Sequence, residues 1–246
     1  MQKFISALLS ALAVINIGIA IYMYVVGSAA GTTITEYEKV ITYKLREPST
    51  RYTFKTVDKS YFDDALFIGD SRTVGLHRYA EIYNADYLAE VGGTIHGVYG
   101  VTCADENGYY TLMDLLQNRT YGKVYIMFGV NEIAGNLQNN ADAYLELVNT
   151  VKQYQPNAII YICANLHVGE SYSYTNPYYN NERLDTYNVL LSKYADGKTT
   201  FYIDVNEVYD DEKGNLAAEY TGDGLHLYEN CYPVWASWLC ARAIDK

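Results

Sequence analysis

The stretch "ALFIGDSRTVGLHRY", residues 65–79, carries the reading on which the fold turns. An apolar run climbs to Gly69 and Asp70, breaks at Ser71, and resumes with helical spacing. A strand that ends in a small hydroxyl residue and turns at once into a helix is the edge of an α/β unit. Ligands collect at such edges, beyond the carboxyl ends of the strands. Ser71 can be read as a helix cap, the commoner role for a serine before a helix, or as a nucleophile held at the sheet edge.

Working outward, the rhythm repeats. Apolar runs occur at "ADYLAEV" (85–91), "KVYIMFGV" (123–130), "AIIYICANL" (158–166) and "TTFYIDV" (199–205). They are rich in Val, Ile, Tyr and Phe and bounded by Gly, Asn or Asp, as buried strands are. Between them lie helical patterns. In "NADAYLELVNTVKQY", Ala143, Leu147 and Val151 fall on one face and Pro156 follows the end. "YENCYPVWASWLCARAI" reads as a closing helix with Trp235, Trp238 and Leu239 as core candidates. Strands alternating with helices predict a flavodoxin-like α/β/α sandwich around a five-stranded, mostly parallel sheet. Ser71, Asn131 and His167 all fall after strands. The chain carries no G-x-G-x-x-G and no phosphate-binding G-x-x-x-x-G-K-[ST] loop.

The chain of 246 residues has a formal net charge of −11, which argues against a nucleic-acid partner. Cys103, Cys163, Cys231 and Cys240 form no C-x-x-C pair, and no metal site is expected from their spacing. There are 28 tyrosines, several of them in "ESYSYTNPYYNNERLDTYN" (170–188), where aromatic faces beside amides suit either sugar binding or a half-buried surface.

No charged residue occurs between Phe4 and Thr35. "FISALLSALAVINIGIAIYMYVV" would span about 35 Å as a helix, enough to cross a bilayer core. Residues 1–27 therefore read as a transmembrane anchor, with "GSAAG" (27–31) offering cleavage as a secretory signal instead. Residues 28–60 read as a polar stalk and 61–246 as the main domain. Lys3 favours a cytoplasmic start, although Lys39, Lys44 and Arg46 after the span count against it. A single-pass cell-membrane protein with its main domain outside is expected, or a secreted one if the leader is cut.

A nucleophilic serine needs a base, a group to orient that base, and donors for an oxyanion. "TGDGLHLYEN" (221–230) supplies Asp223 and His226, three residues apart in a glycine-flanked loop before the last helix. An aspartate on one ring nitrogen fixes the tautomer and frees the other to accept the serine proton. "FGVNEI" places Asn131 after the third strand, and "EVGGTIHG" places Gly92 and Gly93 after the second. The Ser71 N–H at a helix start is a third donor.

In this order the motifs resemble those of the SGNH hydrolases, the group that contains the GDSL esterases and lipases. "GDS" at 69–71 matches the first block, with Arg72 for the usual Leu. Gly92 matches the second-block glycine, with Gly93 the rival register. "GVNE" matches Gly-x-Asn-Asp with Glu132 in the aspartate place, and "DGLH" matches Asp-x-x-His. The resemblance spans about residues 63–243. It implies a serine esterase working through an acyl-serine, with Ser71, Asp223 and His226 catalytic, and Ser71, Gly92 and Asn131 forming the oxyanion hole. No cofactor is implied. Arg72, Gly93 and His167 are candidate substrate contacts, His167 against the commoner reading of a satisfied structural histidine. The expected substrate is a small acyl ester or an O-acetylated surface glycan. The alternatives are transfer of the acyl group to a glycan, a lysophospholipase or thioesterase, and, on the same fold, a non-catalytic glycan-binding module.

Overall fold

The computed structural model describes residues 53–244, and the expected anchor and most of the stalk lie outside them. Among the described residues no helix is long and apolar enough to cross a membrane.

Five strands form one parallel sheet: β1 (Ala65–Gly69), β2 (Asp86–Ala89), β5 (Lys123–Met127), β6 (Ile159–Cys163) and β7 (Thr200–Ile203), in the order β2-β1-β5-β6-β7. The five sheet strands thus follow the flavodoxin-like order, second-first-third-fourth-fifth. Each observed strand lies within the apolar run that predicts it. The run ends leave the ladder: after Met127 the chain turns through Phe128 and Gly129, and after Cys163 through Ala164 and Asn165.

Alternation along the strands sends side chains to two separate cores. Leu66, Ile68, Leu88, Val124, Ile126, Ile160 and Ile162 face one layer, which contains α2 (Leu112–Asn118), α3 (Leu137–Tyr154) and α5 (Asn181–Ser192). Leu147 and Val151 of α3 are buried there, with Ala143 packed at the margin. The opposite face carries Phe67, Tyr87, Tyr125, Tyr161 and Phe201 against α1 (Ser71–Tyr79) and α7 (Tyr232–Cys240).

On that second face the register sets rings beside one another across the sheet. Tyr87 stacks on Phe67, Phe67 on Tyr125 and Tyr125 on Tyr161, at centroid distances of 5.0, 4.5 and 4.4 Å. Each such pair adds about 0.5–1.5 kcal/mol beyond its buried area. Part of the tyrosine content is therefore core. Trp235 and Leu239 are buried as expected, but Trp238 is only half-buried: its Nε1–H donates to Glu207 at 2.5 Å and Arg242 lies over its ring. It covers the surface of the core instead of filling it.

A second, antiparallel ladder was not among the expected strands. β3 (Thr102–Asp105) and β4 (Gly108–Thr111) make a hairpin closed by Glu106 and Asn107. The remaining helices are α4 (Glu170–Thr175) and α6 (Asn206–Tyr209), in the connections after β6 and β7.

Candidate active site

Gly69 allows the turn that starts the site. A Cβ there would lie 2.1 Å from Thr73 Oγ1 and 2.7 Å from the Met127 carbonyl, so only glycine lets α1 fold back this tightly. Asp70, not Ser71, caps α1: its Oδ1 accepts the Arg72 N–H at 2.9 Å. The Ser71 side chain is thus left for other work, and its N–H heads the helix, where intrahelical acceptors are lacking.

Ser71 Oγ lies 2.9 Å from His226 Nε2, and His226 Nδ1 lies 2.7 Å from Asp223 Oδ2. The other carboxylate oxygen of Asp223 accepts the backbone N–H groups of Leu225 and His226 at 2.8 and 2.7 Å. Partial burial pushes the Asp223 carboxyl up, but the hydrogen bonds from the His226 backbone and ring and from Leu225 outweigh it and hold it at about 2. An ionised carboxylate only accepts, so Nδ1 carries the proton and Nε2 of the neutral ring faces the hydroxyl as an acceptor. The Ser71 O–H therefore donates along the line a proton would travel on attack.

The loops that carry the other predicted donors meet at Gly93. Asn131 Nδ2 donates to the Gly93 carbonyl at 2.8 Å, which uses one of its two hydrogens. Gly92 has φ +78 and is exposed, and a Cβ built on it would meet no atom within 4 Å, so the space over it is open. Between the rival glycines the structure favours Gly92 as a donor. The Gly93 N–H is engaged with the Glu90 carbonyl at 3.0 Å, and Gly93 is buried, so it offers substrate nothing.

Of two further candidate contacts, Arg72 is corrected and His167 takes the commoner of its two readings. Arg72 is fully buried and reaches the Leu225 carbonyl through Nε and Nη2 at 3.4 and 3.2 Å, so it cannot touch substrate. His167 is 1% exposed, and both ring nitrogens are occupied, by Asp210 and Asp185 at 2.8 Å each. It is a satisfied structural histidine. His96 is likewise held, by Asn140 at 2.8 Å, and His77 stacks on Tyr87 at the surface of α1.

Glu132, which the sequence reading places in the third block without giving it a role, sits beside Asn131. Glu132 accepts the Ile95 N–H at 2.9 Å through Oε1, tying the loop after β5 to the segment after β2, while its buried Oε2 has no partner among the described residues. Burial pushes this carboxyl up to about 7, with the Ile95 N–H opposing and Asp70 adding to the rise. The folded state therefore keeps a proton that the unfolded chain releases near its ordinary value of 4.5. Stability should fall as pH rises from there through 7 and level off above. Glu132→Gln retains the acceptor for Ile95 and removes the titration. It should be more stable than the parent at pH 8 by about 1–3 kcal/mol and nearly equal at pH 4. Urea melts at the two pH values check this, and identical pH dependence in both proteins would contradict it.

The loops around the site are tied to it from the fourth strand. The Gly169 N–H donates to the Gly224 carbonyl at 2.7 Å, and the Tyr179 hydroxyl lies 3.5 Å from the Asn131 carbonyl. The tyrosine-rich segment between them thus runs along the rim, with Tyr174 and Tyr178 exposed.

This fold and this order of loops agree with a family model for GDSL-like lipases and acylhydrolases, which matches residues 67–232. The chain belongs to that family. It is accordingly a serine ester hydrolase. Solved structures with the same fold include three bacterial and esterase examples. A Streptococcus pneumonia protein provisionally named as a platelet activating factor is 21% identical with a TM-score of 0.53, covering 83% of this chain and 89% of its own. A GDSL-like lipase from Bacteroides thetaiotaomicron VPI-5482 is 15% identical with a TM-score of 0.55, covering 75% and 89%. An acetyl xylan esterase, AlAXEase, is 17% identical with a TM-score of 0.53, covering 71% and 96%. No curated protein matches the chain.

Proposed function

We propose that Ser71 is the nucleophile, His226 the general base and acid, and Asp223 the group that orients it. The observation that carries this is the continuous pair of contacts, 2.9 Å from Ser71 Oγ to His226 Nε2 and 2.7 Å from Nδ1 to Asp223. Ser71 Oγ attacks the ester carbonyl carbon as its proton passes to Nε2. The negative charge that grows on the carbonyl oxygen is met by the N–H groups of Ser71 and Gly92 and the second Nδ2 hydrogen of Asn131. The C–O bond to the alcohol then breaks and the imidazolium returns its proton to the departing oxygen. Water attacks the acyl-serine, gives a proton to Nε2, and the acid leaves as Ser71 Oγ is reprotonated.

The substrate we propose is a short acyl ester on carbohydrate, an O-acetyl group first. Two things support it: the exposed tyrosines along the rim, which suit sugar faces, and the fold shared with an acetyl xylan esterase. Placement at the outer face of a membrane rests on the sequence of residues 1–27 alone. The test is mass spectrometry of acids released from acetylated glycans, with 4-nitrophenyl esters of increasing chain length alongside. Acetate released from glycan, and turnover that falls as the chain lengthens, is the expected result. Preference for long acyl chains, or an acyl group moved to a sugar hydroxyl instead of water, would replace this substrate with the lipid or transferase alternative.

A further inference from the structure

We infer that Arg72 is a positioning residue for His226: its guanidinium clamps the Leu225 carbonyl and so fixes the base against the nucleophile. The inference rests on the Ser71–His226–Asp223 reading above. Arg72 directly follows Ser71 and Leu225 directly precedes His226, so the contact joins the chain at the nucleophile to the chain at the base.

The loop that carries His226 needs such a tie. The Asp223 and His226 side chains are 57% and 41% exposed, and an exposed pair of this kind holds little by itself. Several bonds around them are internal to the loop: Gly224 N–H to Thr221 Oγ1, and Leu225 and His226 N–H to Asp223. These shape the loop but do not place it. Leu227 anchors the loop's far end in the core. Among the described residues, three groups from elsewhere in the fold hydrogen-bond to it: Ser71 Oγ, the Gly169 N–H on Gly224, and the Arg72 guanidinium on Leu225. The first is remade in every turnover, because the proton it carries is the one transferred. Gly169 holds the far side. Arg72 alone among the three ties the loop to α1 and persists while the chemistry proceeds.

The fit of the residue to this task is specific. Nε and Nη2 form one edge of a planar fork, and both approach the same carbonyl oxygen, which has two lone pairs to offer. Burial makes the arrangement rigid and also costly. Arg72 and Asp70 are both fully buried, and among the described residues Arg72 Nη1 and Asp70 Oδ2 lack hydrogen-bond partners. A buried pair of this kind is weak as a source of stability, since replacing both members by apolar side chains is often neutral or better. Removing Arg72 alone leaves Asp70 buried without its counter-charge and should lower the melting temperature. A leucine at this place would fill space and offer no donor to Leu225. What the arginine adds is location.

The test compares Arg72→Leu and Arg72→Lys with the parent in kcat and KM on 4-nitrophenyl acetate, labelling rate at Ser71 by a fluorophosphonate, and thermal melting. The parent must label at Ser71; if it does not, the triad reading fails first and this inference with it. Given labelling, Arg72→Leu should fold, lose about 10- to 100-fold in kcat and in labelling rate, and keep KM within about twofold. Arg72→Lys keeps the charge beside Asp70 and loses the fork, so it should lie between the two. It also decides the matter should Arg72→Leu not fold. In a folded variant the low-field Nδ1–H resonance of His226 should broaden as the ring loses its fixed orientation. Either variant, folded, with parental kcat and parental labelling rate would overturn the inference, because a purely structural arginine changes melting without moving those two.

Discussion

Ser71→Ala and His226→Ala should each lower kcat for ester hydrolysis by about 10⁴-fold or more while leaving the far-ultraviolet dichroism and the melting transition in place. Neither side chain holds up the fold. Asp70 caps α1, so removing the Ser71 hydroxyl takes nothing from the helix. His226 is 41% exposed, and its ring nitrogens hydrogen-bond to Ser71 and Asp223. The double variant should lose little more than either single one, because a nucleophile without a base and a base without a nucleophile are the same broken device. Losses that multiplied instead would mean that the two residues act in separate steps. A Ser71→Ala enzyme with most of its turnover would end the acyl-serine mechanism altogether. The fluorophosphonate should mark Ser71 in the parent and no serine in this variant.

The five-stranded sheet was legible because each strand is an apolar run with Gly, Asn or Asp at its borders, and because alternating strands and helices leave few topologies open. Ser71, Asp223 and His226 were legible as a set for a similar reason: Ser71 opens the helix after the first strand, and Asp223 and His226 share one glycine-flanked loop before the last helix. What escaped depends on contacts that no local pattern encodes. Arginine in a sequence ordinarily means surface, so Arg72 read as a substrate contact when it lies wholly buried. The commoner reading of His167 is structural, but its partners could not be named, since Asp185 and Asp210 come from 18 and 43 residues further along. The choice between Gly92 and Gly93 turned on a single hydrogen bond to Glu90. One miss was avoidable: Asn107-Gly108 is a common signal of a tight hairpin, and the chain does reverse there, with Glu106 and Asn107 as the turn and Gly108 opening β4.

Asn131→Ala should reduce kcat by about 10²–10³-fold, the scale for one lost oxyanion donor, with KM nearly unchanged because the bond tightens as charge develops on the carbonyl oxygen. Asn131→Asp should be at least as poor, since it sets a carboxylate beside that charge. The structure adds a complication that the measurement has to resolve. Asn131 Nδ2 also donates to the Gly93 carbonyl at 2.8 Å, so both variants leave that oxygen without its donor and both should melt somewhat lower. An asparagine that served only the Gly92–Gly93 turn would give losses of kcat that follow the losses of stability. An oxyanion donor gives a large fall in kcat under conditions where the variant is fully folded. Kinetics well below the melting transition therefore separate the two. The rate of fluorophosphonate labelling should fall with kcat, because phosphonylation of Ser71 develops the same negative oxygen. A folded Asn131→Ala enzyme within about tenfold of the parent in kcat would remove this side chain from the hole and leave its work to the Ser71 and Gly92 N–H groups.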